Sequence, residues 1–218
     1  MKRTVTFLLM LVLPGAAART QEPSRIGPRA VLPAAQEIAL ARSAAPAEIS
    51  GAATVLVWKG NDFEVAVEGS NGVTCYVARS WVESLEPHCF DEEGSRTILP
   101  IHILELRLRA GGMDDGSIDE EIDARLADGT LRLPSRPAMS YMMSAGQKLI
   151  SDDGRPVGAW YPHIMLYYPN LDAEGMGLGT VTSATAGVVT DSGTPLSSLI
   201  VIVPEAVPVA REGASRRP

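Results

Sequence analysis

The sequence predicts an α+β domain, with a mostly antiparallel sheet, helices packed on one face, and one cross-strand disulfide. Three observations lead there. Four short runs rich in β-branched and aromatic residues follow one another between residues 52 and 91, two runs of helical period occupy residues 95–130, and strand-like runs return after residue 138. Cys75 and Cys89, the only two cysteines, fall in neighbouring runs of the first group.

The first element is helical. "PAAQEIALARSAAP" (33–46) places Pro33 at a helix start and Pro46 beyond its end, with Ile38, Ala41 and Ala45 near one face. "AATVLVW" (52–58), "FEVAVEG" (63–69), "VTCYVARS" (73–80) and "LEPHCFD" (85–91) then read as strands, separated by turn chemistry at residues 59–62 and 70–72. Asn71-Gly72 is a hairpin signal, because both residues tolerate positive φ, so a β-meander is expected. Phe63, Val65 and Val67 alternate with Glu64 and Glu68, which predicts one buried and one wet face.

The period changes at Ser95. "SRTILPIHILELRLRAGG" (95–112) sets Ile101, Leu104 and Leu108 on one stripe, with Pro100 in the first turns and Gly111-Gly112 at the end, so a helix packing on the sheet is expected. "DDGSIDEEIDARLADGT" (114–130) predicts a second helix with a Ser117/Glu120 capping box, a stripe of Ile118, Ile122 and Leu126, and a stop at Gly129. "AMSYMMS" (138–144), "QKLISDD" (147–153), "PHIMLYY" (162–168) and "SLIVIVP" (198–204) read as strands, with "DDGRP" as a turn. The Gly, Ser, Thr and Ala-rich stretch between Pro169 and Pro195 is long enough for either a functional or a mobile loop.

The expected organisation is a signal peptide over residues 1–18, a flexible leader over 19–32, a single domain over 33–204 and a disordered tail over 205–218. Lys2 and Arg3 form a positive n-region, Val5 to Leu13 an apolar core of about nine residues, and Ala16 to Ala18 a small-residue cleavage site. A spanning helix needs about 20 apolar residues, so no transmembrane segment is expected in the mature chain and the location is secreted or periplasmic. Losing the two positive charges of Lys2 and Arg3 takes the net charge from −7 to −9, which excludes nucleic acid as a serious partner.

An antiparallel pairing centred near Val82 brings Cys75 opposite Cys89, and in an exported protein such a pair is oxidised. A metal site or a redox motif would want C-x-x-C spacing, which is missing. Segments "EGSNGVTCYVAR", "EPHCFDEEGSRTILP", "RPAMSYMMS" and "YPHIMLYYPNL" together resemble a group of exported bacterial proteins of unassigned function. The resemblance covers roughly residues 34–178. It implies export and one compact domain, and it brings no activity, ligand or catalytic residue with it.

Chemistry-bearing candidates are few. His102 shares a helix face with Glu105 and Arg109 and reads as solvated; His88 alternates away from Cys89 and reads as facing water. His163, next to Trp160 and Tyr161, stands where an aromatic pocket with one polar group could form; with Tyr141 these residues make up the candidate binding site. The leading expectation is a non-catalytic exported protein that binds a small molecule or an envelope partner there. A rival is a hydrolase built from Ser140 or Ser144, His163 and an acid such as Asp152; a third is a structural envelope protein. No catalytic residue is assigned, since Ser144 to Lys148 is one residue too long for S-x-x-K and no G-x-S-x-G occurs. No cofactor is expected. "EGMGLGT" opens no helix, and the acidic clusters lack calcium-loop spacing, so no metal is expected either.

Overall fold

The computed structural model describes residues 29–151, 155–156, 161–172, 174–175 and 188–210. Its centre is an eight-stranded sheet in the order β2-β1-β3-β4-β5-β6-β8-β7, antiparallel throughout except where β1 meets β3. The strands are β1 Thr54–Trp58, β2 Phe63–Val67, β3 Thr74–Ala78, β4 Glu86–Phe90, β5 Ala138–Met142, β6 His163–Tyr167, β7 Val188–Thr190 and β8 Ser198–Ile202. The helices are α1 Ala34–Arg42, α2 Ala47–Ser50, α3 Glu92–Arg96, α4 Ile98–Ala110 and α5 Asp115–Ala127. Among the described residues no helix is long and apolar enough to cross a membrane.

β1 and β2 form the expected hairpin, closed by Lys59 N–H donating to the Asp62 carbonyl (2.8 Å) with Gly60 at φ +95°. The meander stops there. Instead of pairing with β2, β3 lies parallel to β1 on its other side, so the chain leaving β2 must cross the start of β1. At the crossing a Cβ on Gly69 would stand 2.1 Å from the Thr54 nitrogen, so only glycine lets the backbone through. Asn71 is taken up elsewhere: its Nδ2 donates to the Ile49 carbonyl at 2.8 Å and its Oδ1 accepts from Val73 N–H at 3.1 Å.

A register shift between Val55 and Leu56 breaks the alternation read in β2. Phe63 and Val65 stay opposite Trp58 and Leu56, while Val67 pairs with Val55, whose side chain belongs to the other face. As an edge strand β2 has little to bury against, and Val65 is 51% exposed. Residues 147–153, expected as a strand, make only single bridges, Leu85 to Lys148 and Ile150 to Pro156, and residues 152–154 of the expected turn lie outside the described residues. The short β7, at one edge of the sheet, comes from a part of the Pro169–Pro195 stretch expected as loop; most of the rest of that stretch lies outside the described residues.

Helices cover both faces of the sheet, not one. On the first face α1 lays Leu40 and Ala41, with Ala44 and Ala45 just beyond it, over Val55, Val77 and the Cys75–Cys89 disulfide. Small alanines let the helix approach the strands closely. On the second face Ile98 and Leu99 of α4 pack with Tyr76, Phe90, Ala138 and Tyr167. The stripe of Ile101 and Leu104 does not face the sheet; it meets Ile118 and Ile122 of α5, forming a third layer. Asp114, not a Ser117/Glu120 box, caps α5, its carboxylate accepting from Ser117 N–H at 3.1 Å and Ser117 Oγ at 2.8 Å. Gly129 at φ +80° follows its end.

The ends of the domain reach further than expected. Arg29, assigned to the leader, is buried and donates from Nε to the Arg79 carbonyl, while Ala30 accepts from Arg79 Nε at 2.9 Å. Val207, assigned to the tail, donates to Met143 and accepts from Ala145, and Val209 packs against the α1 cluster. Residues 1–28 and 211–218, including the expected signal peptide, lie outside the described residues.

Candidate functional site

Alternation and register decide which side chains meet. Because Cys75 pairs with Cys89 on the α1 face, Tyr76 and its partner His88 point to the other. Carried across β5, β6 and β8, the same parity aligns Ser140 and Met142 with Met165 and His163, and these with Ile200 and Ile202. On this face Phe63, Tyr76, Phe90 and Tyr167 form a chain of ring contacts that includes His88 and His102, with Phe63 to Tyr76 at 5.4 Å, Tyr76 to His88 at 5.4 Å and Phe90 to His102 at 5.4 Å. Such edge and offset contacts each add about 0.5–1.5 kcal/mol beyond burial, so the face is stiff.

Between this face and α4 with α5 lies a cavity of about 910 Å³. All three histidines line it, with Tyr76, Tyr161, Tyr167 and Trp81 among the rings. α4 supplies His102, Glu105 and Arg109, three and four residues apart and therefore on one side of the helix. His102 is thus not a solvated residue: its Nδ1 meets the Tyr76 hydroxyl at 3.0 Å. Nor does His88 face water; it is buried, with Nδ1 3.0 Å from Ser140 Oγ. His163 is held by its own strand entry, Nδ1 lying 2.8 Å from the Tyr161 carbonyl oxygen.

Burial dominates the titration of these groups. It holds His88 well below the ordinary imidazole value, helped by the neighbouring His102 and His163. Burial also lowers His102, against the pull of Glu105, and lowers His163. Tyr76 and Tyr167 are pushed up by the same cause, and so is the Glu86 carboxyl, although Ser80 N–H and Oγ donate to it at 2.8 and 3.0 Å. The cavity wall therefore carries neutral imidazoles and phenols at neutral pH.

A pH signature follows. Since each folded histidine titrates below its ordinary 6.5, the unfolded chain takes protons first as pH falls. Their contribution is complete above that value and is lost as pH falls toward the folded values. Glu86, raised from 4.5, acts in the opposite sense: the stability it adds is present at low pH and is lost as pH rises past 4.5 through its folded value. With three histidines against one carboxyl, the urea midpoint should drop between about pH 7.5 and about pH 5.5, and drop less in His88→Asn. Equal slopes in the two proteins would refute the role given to His88.

Of the expected site, Tyr161 and His163 line the cavity. Tyr141 does not join them. It pairs with Cys89 and Ile164 and packs on the α1 face, since Met142, its neighbour, is the residue opposite His163. Trp160 lies outside the described residues, as does Asp152. The serines of the hydrolase reading are both fully buried and engaged away from His163: Ser140 with His88, and Ser144 with Ser43 Oγ at 2.5 Å. Among the described residues no group of three His, Cys, Asp or Glu side chains is placed to hold a metal ion. Glu86, Glu105 and Arg109 were missed as cavity residues; the sequence signals for missed wall residues were the cysteine register, which already set Tyr76 opposite His88, and the helix face shared by His102, Glu105 and Arg109. No family model, no curated protein and no solved structure matches the chain.

Proposed function

We propose that the protein is an exported, non-catalytic binding protein that takes a small amphipathic molecule into the cavity between the sheet and α4 with α5. The observation that carries this reading is the cavity itself. Its volume of about 910 Å³ falls in the range of small-molecule sites, about 300–1,000 Å³, and its wall combines aromatic surface with a few convergent polar groups. The engagement of Ser140 and Ser144 elsewhere favours binding over serine hydrolysis. Export is supported by the charge and apolar pattern of residues 2–18 and by the Cys75–Cys89 disulfide, which suits an oxidising compartment.

Thermal-shift screening of the purified protein against small aromatic and alkyl amphiphiles tests the reading. A ligand present at about 100 times its Kd should stabilise by about 2.7 kcal/mol, a readable rise in Tm. A flat response across the set, with nuclear magnetic resonance showing no perturbation of the Tyr76, His102 and Tyr167 rings, would overturn it.

A further inference from the structure

We infer that the cavity selects a cation, namely a small protonated organic amine whose N–H groups can donate and whose apolar part lies on the aromatic wall. The inference rests on the binding reading above and names the ligand class for that site. Five carboxylates line the cavity, Glu86, Glu105, Asp115, Asp119 and Asp191, against two guanidinium groups, Arg79 and Arg109, and no lysine among the described lining residues. Both arginines are already engaged. Arg79 Nη2 sits 2.9 Å from Glu37, a residue outside the cavity wall, and Arg109 spans Glu105 and Asp115, the latter at 3.0 Å.

Glu86 is taken up by Ser80 and feels Arg109, but Asp119 and Asp191 form no ion pair among the described residues, and the histidines that might have balanced them are held neutral by burial. An anionic ligand would meet this surplus and no available positive group. A second, independent feature points the same way: Gln147 Oε1, on the same wall, is a buried acceptor with no hydrogen-bond partner among the described residues, which a donor N–H would satisfy. Tyr161 and Trp81, the two lining aromatic residues that are not buried, add ring faces, and a desolvated cation over such a face gains about 2 kcal/mol.

The test is isothermal titration of the full purified chain with three probes of one shape class: benzylammonium, benzyl alcohol and phenylacetate. The cation should bind at least about tenfold more tightly than the alcohol, and the anion most weakly. In the double variant Asp119→Asn/Asp191→Asn, whose positions are both exposed and whose folding is checked by circular dichroism, the preference should shrink several-fold. If the alcohol or the anion binds as well as the cation, charge selection is refuted while cavity binding stands. A preference unchanged in the double variant refutes it too, since the cation is then held elsewhere. Should none of the three probes bind, this inference and the binding reading fall together.

Discussion

Glu37→Leu should destabilise the domain by about 3–5 kcal/mol, a fall in Tm of roughly 10 °C or more. Glu37 of α1 is fully buried, and its carboxylate ties three parts of the chain together: Oε1 accepts from the Trp58 N–H of β1 at 2.9 Å, and Oε2 stands 2.9 Å from Arg79 just past β3. Arg79, equally buried, donates onward to the carbonyls of Val77 at 2.6 Å and Ala30 at 2.9 Å. Removing the carboxylate leaves a guanidinium in the interior without its counter-charge and the Trp58 N–H without its acceptor. Burial already presses Arg79 below its ordinary value, and Glu37 is what opposes that pressure. The cost comes from the orphaned charge more than from the lost attraction. It follows that Glu37→Met/Arg79→Met, which removes both charges, should recover most of the loss. Urea titrations of the two variants decide the matter; a single-variant loss under about 1 kcal/mol would show that water reaches Arg79.

The same pair shows where sequence reading runs out. Strand positions were legible because Val, Ile, Tyr and Thr cluster between turn residues, and the pairing of Cys75 with Cys89 followed from two neighbouring runs of fitting length. Those are local signals. The use of Glu37 and Arg79 is not local, since the residues lie 42 positions apart and each looks like an ordinary surface charge until α1 is laid on the sheet. His88 and His102 were read as wet for the same reason: alternation gives the side of the sheet a residue faces, but not what covers that side. Here α4 covers it, and the two rings lie 5.9 Å apart. Asn71-Gly72 misled in another way. The dipeptide does bend the chain, with Gly72 at φ +76°, yet the crossing at Gly69 and the bond from Asn71 to Ile49 direct the chain to the far side of β1. Tyr141 was grouped with His163 in one candidate site, whereas the Met142–His163 register puts it one residue out of phase.

Replacing both cysteines, Cys75→Ala/Cys89→Ala, should cost about 3 kcal/mol from the loop the disulfide closes, before any loss of packing. The bridge joins residues 14 apart in sequence, and both sulfurs are fully buried beneath Leu40, Ala41 and Ala44. Two small cavities left under α1 should add to that figure, because the alanines of the helix have no long side chains with which to fill them. The effect should reach the other face. Tyr76 and His88 sit one residue along from the two cysteines on the same strand pair, so looser pairing of β3 and β4 widens the spread of the rings that floor the cavity. Two readouts therefore belong together: urea stability, expected to fall by about 3 kcal/mol or more, and probe affinity, expected to weaken at a temperature where the variant is still folded. Thiol labelling of the natural protein supplies the control, since both sulfurs should react only after unfolding and reduction together. If unfolding alone exposes two reactive thiols, the pair is not bridged. The stability attributed to the closed loop, and with it the chemical support for export, would then be lost.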